Sequence, residues 1–497
     1  MAFDREKFDA VKAAFTMDDD ALRKIADDFR ADMCAGLAGE KDATLRMLRT
    51  YADLPSGKEH GSFLALDFGG TNVRAQRILL KGSGEYEVLS RVAKPLTLPG
   101  VYDYVSAAAT AEEMFDFLAS IIDEAIDGNR ETKYLLGHTF SFPSQQTNLN
   151  NAKLIVWTKE FATQGVEGKV VNDLLKEALA RRGMTNVVPV AVINDTVAVL
   201  LAAAYKHEHT YIGSIYATGH NTCYYEAFAD GSEPASVINM ESGAFGKLPI
   251  SKYDAIIDTA SEYPGAQRLE KMVSGRYLGQ LYGTALADLL GQDGAYPFTS
   301  IELSEIVADA YLDRHAAGAV IEAKTGMTFS AAERTLLQKL AAAVITRSAR
   351  IVAATFAGII RHRAGETSLE NQYVAIDGSV YEKVPPRRPS PAWCARHTPP
   401  GRGCQRQDHS RKHRLCPRRS TRRCDDREKL SIYETAPQGR SLRGVFVYFH
   451  PFPRIAATNS CMVVAGYISE GRFFPSRQCC SNLCFAILSA PCSSPCS

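Results

Sequence analysis

The chain has 497 residues, too many for one ordinary hydrophobic core, so two or three domains are expected. With 45% hydrophobic residues, 23% charged residues and a net charge of +1, it reads as a soluble globular protein. The opening MAFDREKFDA is charged and lacks an apolar core, and no uninterrupted apolar run approaches the roughly 20 residues that span a bilayer. The expectation is therefore a cytoplasmic protein with neither a secretory signal nor a membrane partner.

The near-neutral total conceals an asymmetry. Between Pro385 and Glu428 there are 13 Lys and Arg against 4 Asp and Glu, so that segment carries +9 and the remainder −8. Cys34 and Cys223 are the only cysteines before position 385, whereas ten of the 12 follow it. The first 384 residues therefore have the composition of a reduced cytosolic enzyme, and the rest does not.

In chain order, residues 1–50 show helical spacing of apolar positions and predict one or two amphipathic helices. PSGKEHG (55–61) breaks that pattern before a strand. Short β-branched runs follow at 134–143, 187–195 and 210–219, with helical stretches at 111–126 and 170–183 between several of them. This alternation predicts an α/β architecture with largely parallel sheets. From 266 to 363 the pattern is mostly helical.

The stretch LALDFGGTNVRAQRILL (64–80) predicts a strand, a turn and an outgoing strand. Its glycines allow positive φ and close backbone approach, and Thr and Asn can hydrogen-bond the turn or a ligand. A plain hairpin and a phosphate cradle both fit these residues. Nothing matches a G-x-x-x-x-G-K-[ST] loop, and a strand follows rather than a helix. SIYATGHNTCYYE (214–226) repeats the strand–turn–strand design, and YVAIDGSVYE (373–382) reads as a third version. Such repeats suggest a duplicated fold whose hairpins face one cleft and hold a nucleotide polyphosphate between them.

LALDFGGTNVR, SFPSQQT, WTKEF, VINDTVAVLLAAAY, ATGHNTCYYE, INMESGAFG and RLEKMVSGRYLG occur in the order shown by hexokinases, which the chain closely resembles over about residues 1–384. The resemblance implies an α/β, actin-like ATPase (ribonuclease H-like) duplicated fold, with two domains around a cleft. It divides the chain into N-terminal helices packing on the large domain (1–60), a small domain (61–194), a large domain (195–384) and a non-family tail (385–497). The implied reaction transfers the γ-phosphoryl group of ATP, with Mg²⁺, to the 6-hydroxyl of a hexose, glucose above all.

The resemblance makes Asp195 the catalytic base, although as the residue between a strand and a helix it also reads as an N-cap. Ser141, Phe142, Thr158, Lys159, Asn194, Asn221, Glu241 and Glu270 match sugar-binding positions, with Lys159 also counted as catalytic. Taken singly, Lys159 and Glu270 read as surface charges, Thr158 as a strand residue and Glu241 as a turn acid. Asp67 is expected near Mg²⁺ or its waters. Gly69, Gly70, Thr71 and Asn72 would form the first phosphate turn, and Thr218, Gly219 and Asn221 the second. Arg74 would neutralise phosphate, and Asp377, Gly378 and Ser379 would begin the adenosine region. His220 and Ser242 depart from the family pattern, which usually has Ser or Thr and a large apolar residue there.

After Lys383 the family's closing helix, strand and glycine-rich turn are not recognisable, which suggests a reading-frame shift or assembly error near codon 384. The expectation for the tail is an unstructured segment, with VFVYFH (445–450) prone to aggregation. Its Cys394, Cys404, His409, His413, Cys416 and Cys424 invite a zinc reading but lack a C-x₂-C pair, and its arginines lack a nucleic-acid-binding motif. Two other readings accompany hexose phosphorylation: a hexose-binding protein impaired in catalysis, and an actin- or chaperone-like ATPase.

Overall fold

The computed structural model describes residues 3–158, 160–228, 231, 233–364 and 372–384, together with the backbone of 428–432 and 445–451. Helices α1 (Arg5–Ala13) and α2 (Asp19–Leu37) open the chain, capped by the carboxylates of Asp4 and Asp18. Their apolar faces bury Phe8, Val11, Ile25, Phe29 and Met33 in the core of the C-terminal half. A short strand, β1 (Leu48–Arg49), follows.

The first sheet is built from β2 (His60–Phe68), β3 (Asn72–Gly82) and β4 (Glu85–Pro95). The short pair β5 (Thr97–Leu98) and β6 (Tyr102–Asp103) precedes α3 (Ala111–Ala125) and β7 (Tyr134–Phe140). A second short pair, β8 (Ser144–Gln145) and β9 (Lys153–Leu154), precedes α4 (Val171–Arg181) and β10 (Val187–Ile193). The strand order is β10-β7-β2-β3-β4, with β10, β7 and β2 parallel and β3 and β4 antiparallel. The sheet is thus mixed rather than largely parallel, because the β2–β3 and β3–β4 connections are too short for a crossover. Helix α3 starts at a Thr110–Glu113 capping box and buries Met114, Phe115, Leu118, Ile121 and Ile122, its i, i+3 and i+4 stripe.

The second half contains α5 (Asp195–Lys206), β11 (Thr210–Tyr216), β12 (His220–Glu226) and β13 (Ser236–Asn239). Helices α6 (Lys252–Thr259), α7 (Arg268–Val273), α8 (Gly275–Leu290), α9 (Ser300–Ala308), α10 (His315–Thr325) and α11 (Ala331–Ala364) follow. The order closes with β14 (Gln372–Asp377), α12 (Ser379–Lys383), β15 (Glu428–Ile432) and β16 (Val445–Pro451). The second sheet runs β1-β13-β12-β11-β14-β16-β15. Its segment β13-β12-β11-β14-β16 repeats the directions of β4-β3-β2-β7-β10, which is the expected duplication.

Three sequence readings change here. YVAIDGSVYE is strand–turn–helix, β14 into α12, because Ser379–Lys383 coils after Gly378. VFVYFH, read as a loose hazard, lies in β16 and pairs in parallel with β14, occupying the slot that β10 fills in the first sheet. A β-rich run announces a strand, but not which distant edge it meets. The proposed zinc ligands of the tail lie outside the described residues. Third, the region read as helical ends in α11, whose Ala331–Arg363 is long and apolar enough to cross a membrane by composition, so that one expectation changes, yet its Leu337, Leu340, Val344, Ile351 and Phe356 are buried in the core. It is therefore packed as a core helix.

A buried ion pair ties α6 to α11. Both Arg347 terminal nitrogens donate to Asp254, each at 2.7 Å, with side chains 1% and 4% exposed. The guanidinium also lies 4.8 Å from the Phe15 ring centre. A smaller core around α5 joins Ala65, Ile78 and Ile193 of the first half to Cys223 and Val237 of the second. Helix α5 is the shared wall of the two sheets, and its N-terminus opens between them.

Candidate active site

Asn194, not Asp195, caps α5: its Oδ1 accepts from the Thr196 N–H at 3.0 Å and the Thr196 hydroxyl at 2.7 Å. Asp195 is the first helical residue, and its Oδ1 accepts from the same N–H at 2.8 Å. With the cap already supplied, the helix start does not need the Asp195 carboxylate.

Across the cleft, Asn221 Nδ2 donates to Asn239 Oδ1 at 3.0 Å, and Asn239 Nδ2 donates to Glu241 Oε1 at 2.8 Å. Asn221 Oδ1 accepts from the Ser242 N–H at 3.1 Å, which holds the Glu241 turn against β12. Glu241 itself sits in the left-handed region at φ 50°, a conformation that costs a non-glycine residue energy and clusters at functional sites. Glu270, on α7, accepts from the His220 N–H at 3.0 Å. Phe142, Asn194, Asn239 and Glu241 line a cleft of about 310 Å³ together with Thr50 and Gln146. That size suits a small polar ligand.

Asn239, Thr50 and Gln146 escaped the sequence reading. Asn239 stands inside INMESG, whose spacing drew attention only to Glu241. Thr50 reaches the cleft because β1 pairs with β13, Leu48 opposite Asn239, and it is held by the Gln146 amide donating to its carbonyl at 3.1 Å. Ser141 and Thr158 are half-buried on neighbouring segments and do not line the cleft. Phe142 is 4% exposed, and its ring packs on Phe140, Trp157 and Phe161, so it serves as a wall. Lys159 lies outside the described residues.

Of the two uses expected for the glycines in the turns at 69–72 and 218–221, close approach is used and positive φ is not. Neither Gly69 nor Gly219 has a left-handed φ, but a Cβ on Gly219 would stand 3.0 Å from Glu270 Oε2. Gly69 closes the first turn by donating its N–H to the Asn72 carbonyl at 3.3 Å, with Gly70 and Thr71 at the tip. The second turn is held by the start of α8, where Gly275 N–H donates to Ala217 O at 2.8 Å and Arg276 N–H to Thr218 O at 3.0 Å. Gly378 does require its freedom: φ is 135°, and a Cβ would meet the Tyr216 carbonyl at 2.4 Å.

The charges around these turns are arranged in advance. Asp67 and Arg74 are opposite residues of the β2–β3 hairpin, and Arg74 donates to Asp67 Oδ2 at 2.8 Å with both side chains largely buried. Arg74 therefore orients Asp67, and its positive charge is already partnered. Burial raises the Asp377 carboxyl above its ordinary range, and the negative charges of Glu382 and Asp195 raise it further. Asp195 and Asp377 thus feel each other across the end of the second sheet, a focus of negative charge that a cation would relieve. Among the described residues no three carboxylate, imidazole or thiol side chains cluster as a direct metal site.

His220 and Ser242 turn away from the cleft. His220 is 3% exposed, its ring stands edge-on to Tyr216 at 5.8 Å, and burial pushes its pKa down to about 4. His138 on β7, paired with Leu66 and stacked on Phe68, is likewise pushed down by burial to about 4. Both are neutral in the folded state and charge more readily when unfolded, where the ordinary value is 6.5. Their contribution is therefore complete above about pH 6.5 and is lost as the pH falls toward 4, to a limit of roughly 3 kcal/mol each. Urea denaturation between pH 4 and 7 is expected to show this slope, and His138→Leu or His220→Leu is expected to flatten it. Parallel slopes for parent and variants would contradict the assignment.

Hexokinase family models match residues 7–205 and 211–390. Hexokinase-1 of Schizosaccharomyces pombe is 31% identical over 410 residues, covering 77% of this chain and 82% of that protein. Hexokinase-2 of Rattus norvegicus is 34% identical over 410 residues, 76% of this chain, and the chain spans only 44% of that relative's length. A hexokinase crystal structure superposes with a TM-score of 0.69 at 31% identity, covering 76% of this chain and 90% of that one. Hexokinase from Schistosoma mansoni in complex with glucose gives 0.63 at 29% identity, covering 77% and 90%. With the duplicated sheets, the ordered motifs and these similarities in agreement, the chain belongs to the hexokinase family.

Proposed function

We propose that this chain transfers the γ-phosphoryl group of Mg·ATP to the 6-hydroxyl of glucose or a closely related hexose, in the cytoplasm. The observation that carries the reading is one cleft lined by Asn194, Asn239 and Glu241, with Asp195 next to Asn194 at the start of α5 and Asn221 hydrogen-bonded to Asn239. A sugar presents a ring of hydroxyls, and this set offers amide donors beside carboxylate acceptors, a pattern that discriminates by leaving no partner unmatched. The glucose complex of the Schistosoma mansoni enzyme supports that ligand class.

In this reading the amides and Glu241 orient the ring, and Glu270 fixes the second turn through the His220 N–H. Asp195 receives the proton of the attacking hydroxyl. Phosphoryl transfer depends chiefly on alignment and charge neutralisation, so a carboxylate aimed at the nucleophile suffices. Mg·ATP, when bound, supplies the phosphoryl group and neutralises its developing charge. Asp67, oriented by Arg74, would hold the cation through its waters, the turns at 69–72 and 218–219 would hold the phosphates, and Asp377–Ser379 the adenosine side. The free thiols Cys34 and Cys223 are consistent with a reducing compartment.

A coupled assay for glucose 6-phosphate, run beside a glucose titration by intrinsic fluorescence, tests the reading. Saturable turnover is the expected result. Binding without turnover would replace it with the hexose-binding reading, and ATP hydrolysis indifferent to sugar would replace it with an ATPase.

A further inference from the structure

Far from the cleft, three residues distant in sequence assemble into a nucleophile–base–carboxylate array. Cys34 Sγ on α2 lies 3.7 Å from His362 Nδ1 on α11, and His362 Nε2 lies 2.6 Å from Glu226 Oε2 at the end of β12. Glu226 is fixed from every side: the Tyr224 hydroxyl donates to Oε2 at 2.6 Å, and the Ala227 and Phe228 N–H groups donate to Oε1 at 3.1 and 3.3 Å. Burial alone would raise this carboxyl, but the hydrogen bonds from His362 and Tyr224 bring it below its ordinary range.

The tautomer follows from the bonding. A carboxylate accepts only, so the 2.6 Å contact puts a proton on His362 Nε2 and leaves Nδ1 as an acceptor facing the thiol. His362 and Glu226 side chains are 14% and 13% exposed, whereas Cys34 is exposed to solvent, so a reagent can reach the sulfur while its base stays sheltered. Cys34 lies in the last turn of α2 and His362 in the last turn of α11.

We propose that Cys34, with His362 as base and Glu226 as orienting carboxylate, is a thiol-modification site for low-molecular-weight disulfides. The Cys34 thiol passes its proton to His362 Nδ1, and the sulfur attacks one sulfur of RS–SR. The S–S bond breaks, the released RS⁻ takes the proton back from His362, and the products are Cys34–S–SR and RSH. The oxidising equivalents come with the disulfide, and no other reagent is needed. Because β12 carries both Glu226 and Asn221, the site is joined by one strand to the sugar cleft.

The test uses the full chain with glutathione disulfide, following residue 34 by peptide-resolved mass spectrometry so that the other cysteines do not interfere. His362→Gln, which keeps an amide able to donate to Glu226, is expected to slow modification of Cys34 about tenfold or more. An unchanged rate would overturn the proposal. The unmutated protein supplies a second measurement that does not depend on the variant folding. Cys34 is expected to react at pH 7 at least about tenfold faster than in the same chain unfolded in urea. A rate equal to that of the unfolded chain would overturn it equally.

Discussion

Replacing Asp195 by Asn is expected to lower kcat for hexose phosphorylation by about 10²- to 10⁴-fold, the usual contribution of a positioned general base. Glucose affinity, read by fluorescence, is expected to change only a few-fold. The substitution isolates the proton-accepting role because it is nearly isosteric. Asn keeps an oxygen for the Thr196 N–H, and the cap itself belongs to Asn194, so α5 starts unchanged. A second readout separates loss of charge from loss of shape. Asp377 is held above its ordinary range partly by the Asp195 charge, so in Asp195→Asn its titration is expected to move down. A variant that retains the parental kcat would remove Asp195 from the mechanism.

The largest effect on stability is expected at the Arg347–Asp254 pair. Asp254→Ala leaves a guanidinium that is 1% exposed without its partner, and breaking such a pair costs about 3–5 kcal/mol. That is a large part of the net stability of an ordinary domain. The cost arises from the stranded charge, so a double variant, Asp254→Leu with Arg347→Met, is expected to recover most of it. Recovery should fall short by about 1 kcal/mol, because Asp254 also closes the capping box with Ser251 at the start of α6. Urea denaturation of the parent, the single and the double variants checks both statements. A double variant no more stable than Asp254→Ala would show that the pair is not isolated in this way.

The local features of the site were legible because local chemistry encodes them. The β2–β3 and β11–β12 hairpins follow from β-rich runs broken by short polar, glycine-containing turns. The start of α5 follows from Asn-Asp-Thr after an apolar strand. The family motifs then supplied the candidate roles, which no spacing rule contains. Where the reading failed, it failed on conformations and partners set from a distance. Gly219 is needed for clearance beside Glu270, not for positive φ, and clearance depends on a helix some fifty residues further on. The partner of Arg74 was likewise set by the hairpin register, which places it opposite Asp67.

By itself, then, the sequence determined the α/β pattern, the paired turns and the membership of Asp195, Asn221, Glu241 and Glu270 in one motif set. Only the tertiary structure decided that Asn239 bridges Asn221 to Glu241, that β1 carries Thr50 to the cleft and that β16 fills the slot beside β14. It alone brought Cys34, Glu226 and His362 together across more than three hundred residues. Periodicity and turn chemistry act through φ and ψ over a few residues, whereas these contacts are fixed by sheet register and by the packing of α2 and α11 in one core.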